Sequence, residues 1–178
     1  MPELFGRIWD MPSADTFTVP SIAAFCARHL QGAKVIVDPF ARNSRLGTHR
    51  NDLNPETAAE YHLDAVEFCA KLEADGVLAD AILFDPPYSP RQISEVYVMV
   101  GREATMEDTQ SSFWAEVRVA LAEVLRPDGI ALSFGWHSSG FGKDWPRIET
   151  LMVCHGGAHN DTICVAQRKP IPLPRLWA

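Results

Sequence analysis

The stretch ADAILFDPPYSPRQ, residues 79–92, places an apolar run directly before a carboxylate and two prolines. The run AILFD at 81–85 has the composition of a buried strand, so we expect a strand that ends at Asp85. Pro86 and Pro87 have no backbone N–H and a restricted φ, so they form a stiff corner whose carbonyls can only accept hydrogen bonds. The stretch therefore predicts a rigid acceptor site at the end of a buried strand.

The segments on either side alternate between strand and helix patterns. A helix over SIAAFCARHL, after Pro20, is expected to precede the first strand, AKVIVD at 33–38. Further elements are expected in this order: a strand in THRND at 48–52, a helix over AVEFCAKLEA, the strand at 81–85, a helix at 112–125 that ends at Arg126-Pro127-Asp128-Gly129, and a strand at 130–136. The alternation predicts a doubly wound α/β fold with a mostly parallel sheet.

Two segments are less regular. EYHLD at 60–64 alternates like a strand, although the whole of 55–74 could form one helix, and we favour a short strand. In the tail, IETLMVC at 148–154 and DTICVAQ at 161–167 flank a turn with two glycines, which predicts an antiparallel hairpin. His155 and His159 lie in that turn, but no third ligand is evident, so we predict no metal site.

Size and charge narrow the possible functions. The chain has 178 residues, enough for one domain spanning 1–178, with no room for a separate target-recognition domain. Its net charge of −7 argues against a protein that coats nucleic acid by bulk electrostatics, although a local patch of loop arginines stays open. We expect no signal peptide, no membrane span and an intracellular location, with the four cysteines as reduced core residues.

Aspartates recur at the predicted strand ends. In an open parallel sheet, ligands bind beyond the carboxyl ends of the strands. Asp38 and Asp85 occupy such ends, and Asp52 and Asp64 follow the neighbouring segments. Each could simply cap a helix or turn, but four of them together with a Pro-Pro corner favour a binding site.

The motif D-P-P-Y after an apolar strand, with IVDPFARNSRLGTHRNDLNPETAAEYHLDAVEF before it and VCHGGAHNDTICVAQRK after it, is similar to a known family. The chain resembles small DNA adenine-N6 methyltransferases of phages and prophages. That resemblance implies a Rossmann-like class I methyltransferase fold, S-adenosylmethionine as cofactor, DNA as partner, and the cytoplasm of a bacterial or phage-infected cell. The oligomeric state stays open, with a homodimer as one option.

The resemblance also assigns roles around the Pro-Pro corner. Asp85 and the carbonyl of Pro86 would accept both N–H bonds of the adenine amine, with Pro87 stiffening the corner. The base would be flipped out of the duplex and stacked on Tyr88. Transfer would then depend on positioning and electrostatic preorganisation rather than on a strong base.

On the cofactor side, the resemblance assigns Asp38 and Phe40 to the methionine part, Asp52 to the ribose hydroxyls and Asp64 to the adenine amine. Phe17 matches an N-terminal motif that contacts the cofactor. The family's glycine-rich loop is replaced by Asp38-Pro39-Phe40-Ala41-Arg42-Asn43-Ser44, and Gly47 comes late in the chain to substitute for it. Since glycines let backbone approach a ligand closely, their replacement leaves open how tightly the cofactor binds.

Target recognition would then come from loops. The segment at 89–110, with Arg91 and Gln92, follows the catalytic corner directly, and HSSGFGKDWPR at 137–147 is a second candidate. Three alternatives to DNA adenine methylation remain: N4-cytosine methylation, for which S-P-P-Y is more typical, RNA methylation, and a degenerate protein that binds cofactor or DNA without catalysis.

Overall fold

A seven-stranded sheet forms the centre of the computed structural model, which describes residues 3–87, 111–157 and 159–171. Its strands are β1 Leu4–Trp9, β2 Ile36–Asp38, β3 His49–Arg50, β4 Ala79–Phe84, β5 Leu125–Gly135, β6 Arg147–Cys154 and β7 Thr162–Arg168. They are ordered β1-β6-β7-β5-β4-β2-β3. β3, β2, β4 and β5 run parallel to one another, whereas β7 lies antiparallel between β5 and β6.

Helices cover both faces of this sheet. They are α1 Pro20–His29, α2 Ala65–Ala74 and α3 Ser111–Val124, with a 3₁₀ turn at Thr16–Thr18. On one face, Ile22 and Phe25 of α1 pack with Leu132 of β5. On the other, Phe68 of α2 and Val117 of α3 pack in a separate core. The doubly wound α/β class and the antiparallel hairpin are therefore confirmed.

The expectation that a helix precedes the first strand was wrong. β1 comes before α1 and pairs in parallel with β6, with Leu4 opposite Glu149 and Trp9 opposite Cys154. It is an edge strand, and the side chains of Phe5 and Trp9 are 71% and 64% exposed. The strand depends on a partner far along the chain, so its local pattern carries little signal.

The boundary after α3 also differs from the prediction. β5 begins at Leu125, directly after the helix, instead of after Gly129. Ala79 of β4 pairs with Leu125 and Ala81 pairs with Ile130, so the residues between them form a large bulge. The ammonium of Lys169 donates to the carbonyls of Ala122 and Leu125, both at 2.6 Å, and so satisfies the end of the helix.

The expected strand at 60–64 is reduced to one parallel bridge between Tyr61 and Asn51. The alternative of a helix over all of 55–74 is excluded, because α2 begins at Ala65. Asn51 is 1% exposed, and its side chain donates to the carbonyls of Pro39 and Leu63 and accepts from the N–H of Leu63. This buried amide joins the segments that follow β2, β3 and the bridge.

All four cysteines are buried and free, as expected. Within the described ranges, the structure contains no helix long and apolar enough to cross a bilayer.

Candidate active site

A cleft of about 910 Å³ opens beyond the carboxyl ends of β2, β3 and β4. Seven of the residues assigned from the sequence line it: Phe17, Phe40, Asp52, Asp64, Asp85, Pro86 and Pro87. Tyr88 lies outside the described residues, as does the proposed target loop at 89–110. The structure thus brings together residues from five separate segments of the chain at the place where an open parallel sheet binds its ligands.

Asp38 lies behind the wall of the cleft and is 0% exposed. Its Oδ1 accepts the N–H of Phe40 at 3.2 Å, and its Oδ2 has no hydrogen-bond partner among the described residues. Burial raises the pKa of Asp38 to about 8, and the nearby carboxylates of Asp85 and Asp52 push it in the same direction. A buried carboxyl of this kind has an acceptor oxygen to offer a ligand.

Arg42 holds the loop that replaces the glycine-rich motif. Its φ of 48° is in the left-handed region, and its N–H donates to Oδ2 of Asp52 at 3.0 Å. Its guanidinium donates to the carbonyl of Ala14 at 2.6 Å and lies 3.4 Å from the carboxylate of Asp15. The arginine therefore ties the loop after β2 to the segment before the 3₁₀ turn, and both segments line the cleft.

The carboxylates of Asp52 and Asp64 accept hydrogen bonds from backbone N–H groups, and both residues also line the cleft. Oδ1 of Asp52 accepts the N–H of Asn54 at 2.9 Å, so both of its oxygens are engaged by backbone groups. Asp64 is the N-cap of α2, where Oδ1 accepts the N–H of Val66 at 2.9 Å. The capping role and the position in the cleft wall are therefore combined in these two residues.

Gly47 lies against Asp38 and does not line the cleft. A Cβ at this position would be 2.8 Å from Cβ of Asp38 and 3.1 Å from Cγ of Arg50. The glycine thus lets the chain that enters β3 pass close to the end of β2. Its role is in packing protein against protein rather than protein against ligand.

Aromatic rings form the apolar part of the site. Phe40 packs edge-to-face against Phe84 at 5.8 Å and against Trp114 at 5.6 Å. Phe17 packs in the same way against Phe134 at 5.1 Å. Trp114, on α3, lines the cleft but was not predicted from the sequence, because nothing local to the helix shows that it reaches the strand ends.

A second, smaller cavity of about 100 Å³ lies against the same corner. Pro86, Pro87 and Trp114 line both spaces, whereas Arg118 of α3 and Ser133 of β5 line only the smaller one. Neither Arg118 nor Ser133 was predicted from the sequence. A signal was present for Arg118, since it lies in the same helical stripe as Trp114 and Leu121, where an apolar residue is expected.

The arginines proposed as a basic patch are partly engaged within the chain. Arg42 pairs with Asp15, and Arg50 pairs with Glu60 at 2.7 Å. Arg91 lies outside the described residues. The basic patch stays a prediction. Because Arg42 and Arg50 already form ion pairs, fewer arginines are left to bind phosphate than the sequence indicates.

The hairpin histidine has a structural role. His155 contacts the carbonyl of Asp10 through Nδ1 at 2.8 Å and the hydroxyl of Thr162 through Nε2 at 3.0 Å. These contacts join the end of β1 to the hairpin. In the part of the chain that the structure describes, histidine, cysteine and acidic side chains form no group of three that could hold a metal.

Comparison with known proteins identifies the fold. No family model matches the sequence, and no curated protein matches it either. Among solved structures, the chain is similar to the N-methyltransferase NodS from Bradyrhizobium japonicum, with a TM-score of 0.54 and 11% identity over 84% of this chain and 94% of that one. It is also similar to the Burkholderia thailandensis 1,6-didemethyltoxoflavin-N1-methyltransferase, whose structure contains S-adenosylhomocysteine. The TM-score is again 0.54, with 14% identity over 85% of this chain and 78% of that one.

A putative methyltransferase from Escherichia coli, yhhF, gives a TM-score of 0.52 and 13% identity over 90% of this chain and 92% of that one. At these identities the likeness concerns the fold. The mostly parallel sheet with one antiparallel strand, β7, inserted near its edge is thus the class I methyltransferase fold.

Proposed function

We propose that this protein transfers a methyl group from S-adenosylmethionine to the exocyclic N6 amine of adenine in DNA. The observation that carries the proposal is the corner Asp85-Pro86-Pro87, which lines the same cleft as the residues assigned to the cofactor. A methyl donor in that cleft and an amine at the corner would be neighbours. Proximity of this kind is the main source of rate enhancement in such a transfer.

The chemistry of the cleft fits this cofactor. S-adenosylmethionine carries a positive sulfonium and a positive ammonium group, and when bound it supplies an electrophilic methyl group. The carboxylates of Asp85 and Asp52 are close enough to Asp38 to raise its pKa, so acidic groups are concentrated at this end of the sheet. Oδ2 of Asp38 is buried behind the cleft wall without a partner among the described residues, and it would accept from the ammonium end once the carboxyl has lost its proton.

The apolar part of the cleft suits the rest of the cofactor. Phe17 and Phe40 provide aromatic walls, and Asp64 faces the cleft from the start of α2. Asp52 would accept from the ribose hydroxyls while its backbone contacts hold the loop around Arg42 and Asn54.

On the acceptor side, an aromatic amine is a poor nucleophile because its lone pair is delocalised into the ring. The carboxylate of Asp85 and the carbonyl of Pro86 would accept its two N–H bonds and hold the nitrogen with its lone pair towards the cleft. Asp85 would also accept the proton that the amine loses. Pro86 is buried and Pro87 partly buried, which keeps the corner rigid.

A second candidate is transfer to a nitrogen of a small molecule. It is favoured by the names of two structures with the same fold, which are N-methyltransferases and one of which contains bound 1,6-didemethyltoxoflavin. The net charge of −7 also favours an acceptor that is not a polyanion. The intact D-P-P-Y motif and its surroundings favour DNA adenine.

The direct test is methyl transfer in vitro with labelled S-adenosylmethionine and four acceptors: duplex DNA, single-stranded DNA, RNA and a set of small heteroaromatic amines. Label in DNA, recovered as N6-methyladenine, supports the proposal. Label only in RNA, only as N4-methylcytosine or only in small molecules contradicts the proposed substrate.

Cofactor binding is measured separately by calorimetry. Asp52→Ala should weaken S-adenosylmethionine binding by about 1–3 kcal/mol, the usual effect of losing a hydrogen bond that involves a charged group. Glu73→Ala, on the exposed side of α2, is the control and should bind normally. Equal dissociation constants for wild type and Asp52→Ala would show that Asp52 only supports the loop.

A further inference from the structure

The smaller cavity lies between the end of β4, the end of β5 and α3. Phe84 of β4 and Ser133 of β5 are paired in the parallel register, so their side chains lie on the same face of the sheet, beneath α3. Trp136 and His137, which follow β5, complete the opening. The walls are therefore largely apolar, with four aromatic residues and few polar groups.

Arg118 is one of those polar groups. Its guanidinium lies over the ring of Phe84, with Cζ 5.8 Å from the ring centroid. The side chain is partly buried, and burial lowers the pKa of Arg118 without an acidic neighbour in the described chain to offset the effect. Within the described residues, Arg118 has no hydrogen-bond acceptor or ion-pair partner, so its N–H groups are available to an acceptor in the cavity.

Ser133 is the other polar group. The residue is 8% exposed, and its hydroxyl has no hydrogen-bond partner within the described residues. A buried hydroxyl without a partner costs about 1–3 kcal/mol of stability, so such groups usually mark a binding site or strain. Ser133 and Arg118 thus present unused hydrogen-bonding groups to one cavity.

We infer that this cavity holds the ring of the methyl acceptor, an amino-substituted heteroaromatic ring, and that Arg118 and Ser133 recognise its ring nitrogens. The inference rests on the proposed function and deepens it, because it names the residues that select the acceptor. Pro86, Pro87 and Trp114 separate the cavity from the cleft and line both. An amine at the corner would therefore have its ring on one side and the methyl donor on the other.

Hydrogen-bond chemistry determines which ring is accepted. The amine of adenine lies between two ring nitrogens, N1 and N7, that can only accept hydrogen bonds. Arginine can only donate, so it matches either nitrogen, and the hydroxyl of Ser133 can donate to a second acceptor. A ring N–H directed at Arg118 would face an opposed donor and would be disfavoured, whereas the hydroxyl of Ser133 can also accept.

Binding of 9-methyladenine tests the inference without requiring any turnover. The probe is titrated by ligand-observed NMR in the presence of saturating S-adenosylhomocysteine, which occupies the larger cleft. Arg118→Met should weaken the binding of the probe about tenfold or more, and Ser133→Ala should weaken it less. Arg126→Met, which removes the same charge near the opposite end of β5, should bind like wild type.

Atom-by-atom substitution identifies the contact. The 1-deaza and 7-deaza analogues of the probe each lack one ring acceptor, and one of them should bind wild type several-fold more weakly than 9-methyladenine does. In Arg118→Met that difference should disappear, which is the signature of a direct interaction. The same comparison in DNA, as kcat/KM with 7-deazaadenine in place of adenine, extends the test to turnover.

Three results would overturn the inference: equal binding of 9-methyladenine by wild type and Arg118→Met, an analogue penalty that persists in Arg118→Met, or displacement of the probe by millimolar inorganic phosphate. The last result would make the cavity an anion site. Failure of S-adenosylhomocysteine to bind would contradict the proposed function and not the inference about the cavity. The difference in 9-methyladenine affinity between wild type and Arg118→Met would still test that inference.

Discussion

Asp85 and Asp38 are both aspartates at strand ends, but their surroundings give them different properties. Asp85 lines the cleft and is partly exposed, whereas Asp38 is fully buried behind it. Asp85 can therefore meet an acceptor amine, while Asp38 can only act on a group that reaches the inner end of the cleft.

Substitution of Asp85 should separate chemistry from cofactor binding. Asp85→Ala removes the acceptor for the amine, and Asp85→Asn introduces N–H donors that oppose it, so both should reduce methyl transfer by at least about a hundredfold. Calorimetry should give a dissociation constant for S-adenosylmethionine within a fewfold of wild type. Normal turnover by either variant would refute the role of Asp85, and Glu73→Gln serves as an exposed control.

Asp38 should make the stability of the free protein depend on pH. Its pKa is about 8 in the folded chain against a reference value of 3.8, so the folded state holds a proton that the unfolded state releases between these values. The free energy of unfolding should therefore fall as pH rises from about 4 to 8, by at most about 1.4 kcal/mol per pH unit.

Urea denaturation of wild type and Asp38→Asn at pH 5, 6, 7 and 8 measures this effect. The variant cannot ionise at this position, so its stability relative to wild type should increase with pH. A constant difference across the series would show that Asp38 is already ionised in the folded protein.

At the scale of elements, β7 supports the loop that borders the smaller cavity. Gln167 of β7 is 0% exposed and bonds three backbone groups of that loop: the N–H of Phe141 at 2.7 Å and the carbonyls of Gly142 and Trp145 at 2.9 and 3.0 Å. Gly140 of the same loop lines the cavity, with Oε1 of Gln167 where its Cβ would be.

Gln167→Leu would leave these three backbone groups without a partner. Since one unsatisfied buried polar group costs about 1–3 kcal/mol, the free energy of unfolding should fall by that amount or more. The substitution should also raise the KM for the methyl acceptor while leaving cofactor affinity unchanged. Arg168→Gln changes the next residue in β7, whose side chain is 44% exposed and pairs with Asp128, and this control should change stability by less than about 1 kcal/mol. A stable Gln167→Leu protein with normal KM would contradict this role.

Elements with strong local patterns could be predicted from the sequence. The helix over AVEFCAKLEA is α2, Ala65–Ala74, with Asp64 as its cap, and the run before Asp85 is β4. β1 could not be predicted because Leu4–Trp9 is an edge strand held by β6, and β5 starts early because Lys169 satisfies the end of α3 from elsewhere in the chain. Both differences arise from contacts between residues that are far apart in the chain.

In the site, too, some residues could be predicted from local sequence patterns, and others depend on tertiary contacts. Residues at strand ends, such as Asp52 and Asp85, could be predicted because the topology of a parallel sheet gathers its carboxyl ends. Arg118 interrupts an apolar stripe of α3, which is a signal in the sequence, but its proximity to Ser133 could not be predicted because it depends on how α3 lies over β4 and β5. The close approach of Gly47 to Asp38 was also not predictable, since it depends on how the chain enters β3.

At the scale of the whole molecule, the net charge of −7 limits how DNA can be held. Three of the arginines, Arg28, Arg42 and Arg50, already pair with Glu149, Asp15 and Glu60. DNA affinity should therefore depend on few phosphate contacts.

The salt dependence of DNA binding checks this expectation. Between 50 and 200 mM salt, the slope of log K against log salt should correspond to roughly two to four contacts, using about 0.9 per phosphate for duplex DNA. A slope equivalent to about six to ten phosphate contacts would contradict this expectation, because it would require a larger basic surface than the arginines left unpaired in the described chain provide.

Methylation of adenine in DNA at the Asp85 corner is tested by mass spectrometry of nucleosides. The DNA is taken from cells that express the wild-type protein or Asp85→Ala at equal levels, in a host that lacks adenine methylation. We expect N6-methyladenine in the wild-type sample and none above background in the variant. N6-methyladenine absent from both samples, or present equally in both, would contradict the claim.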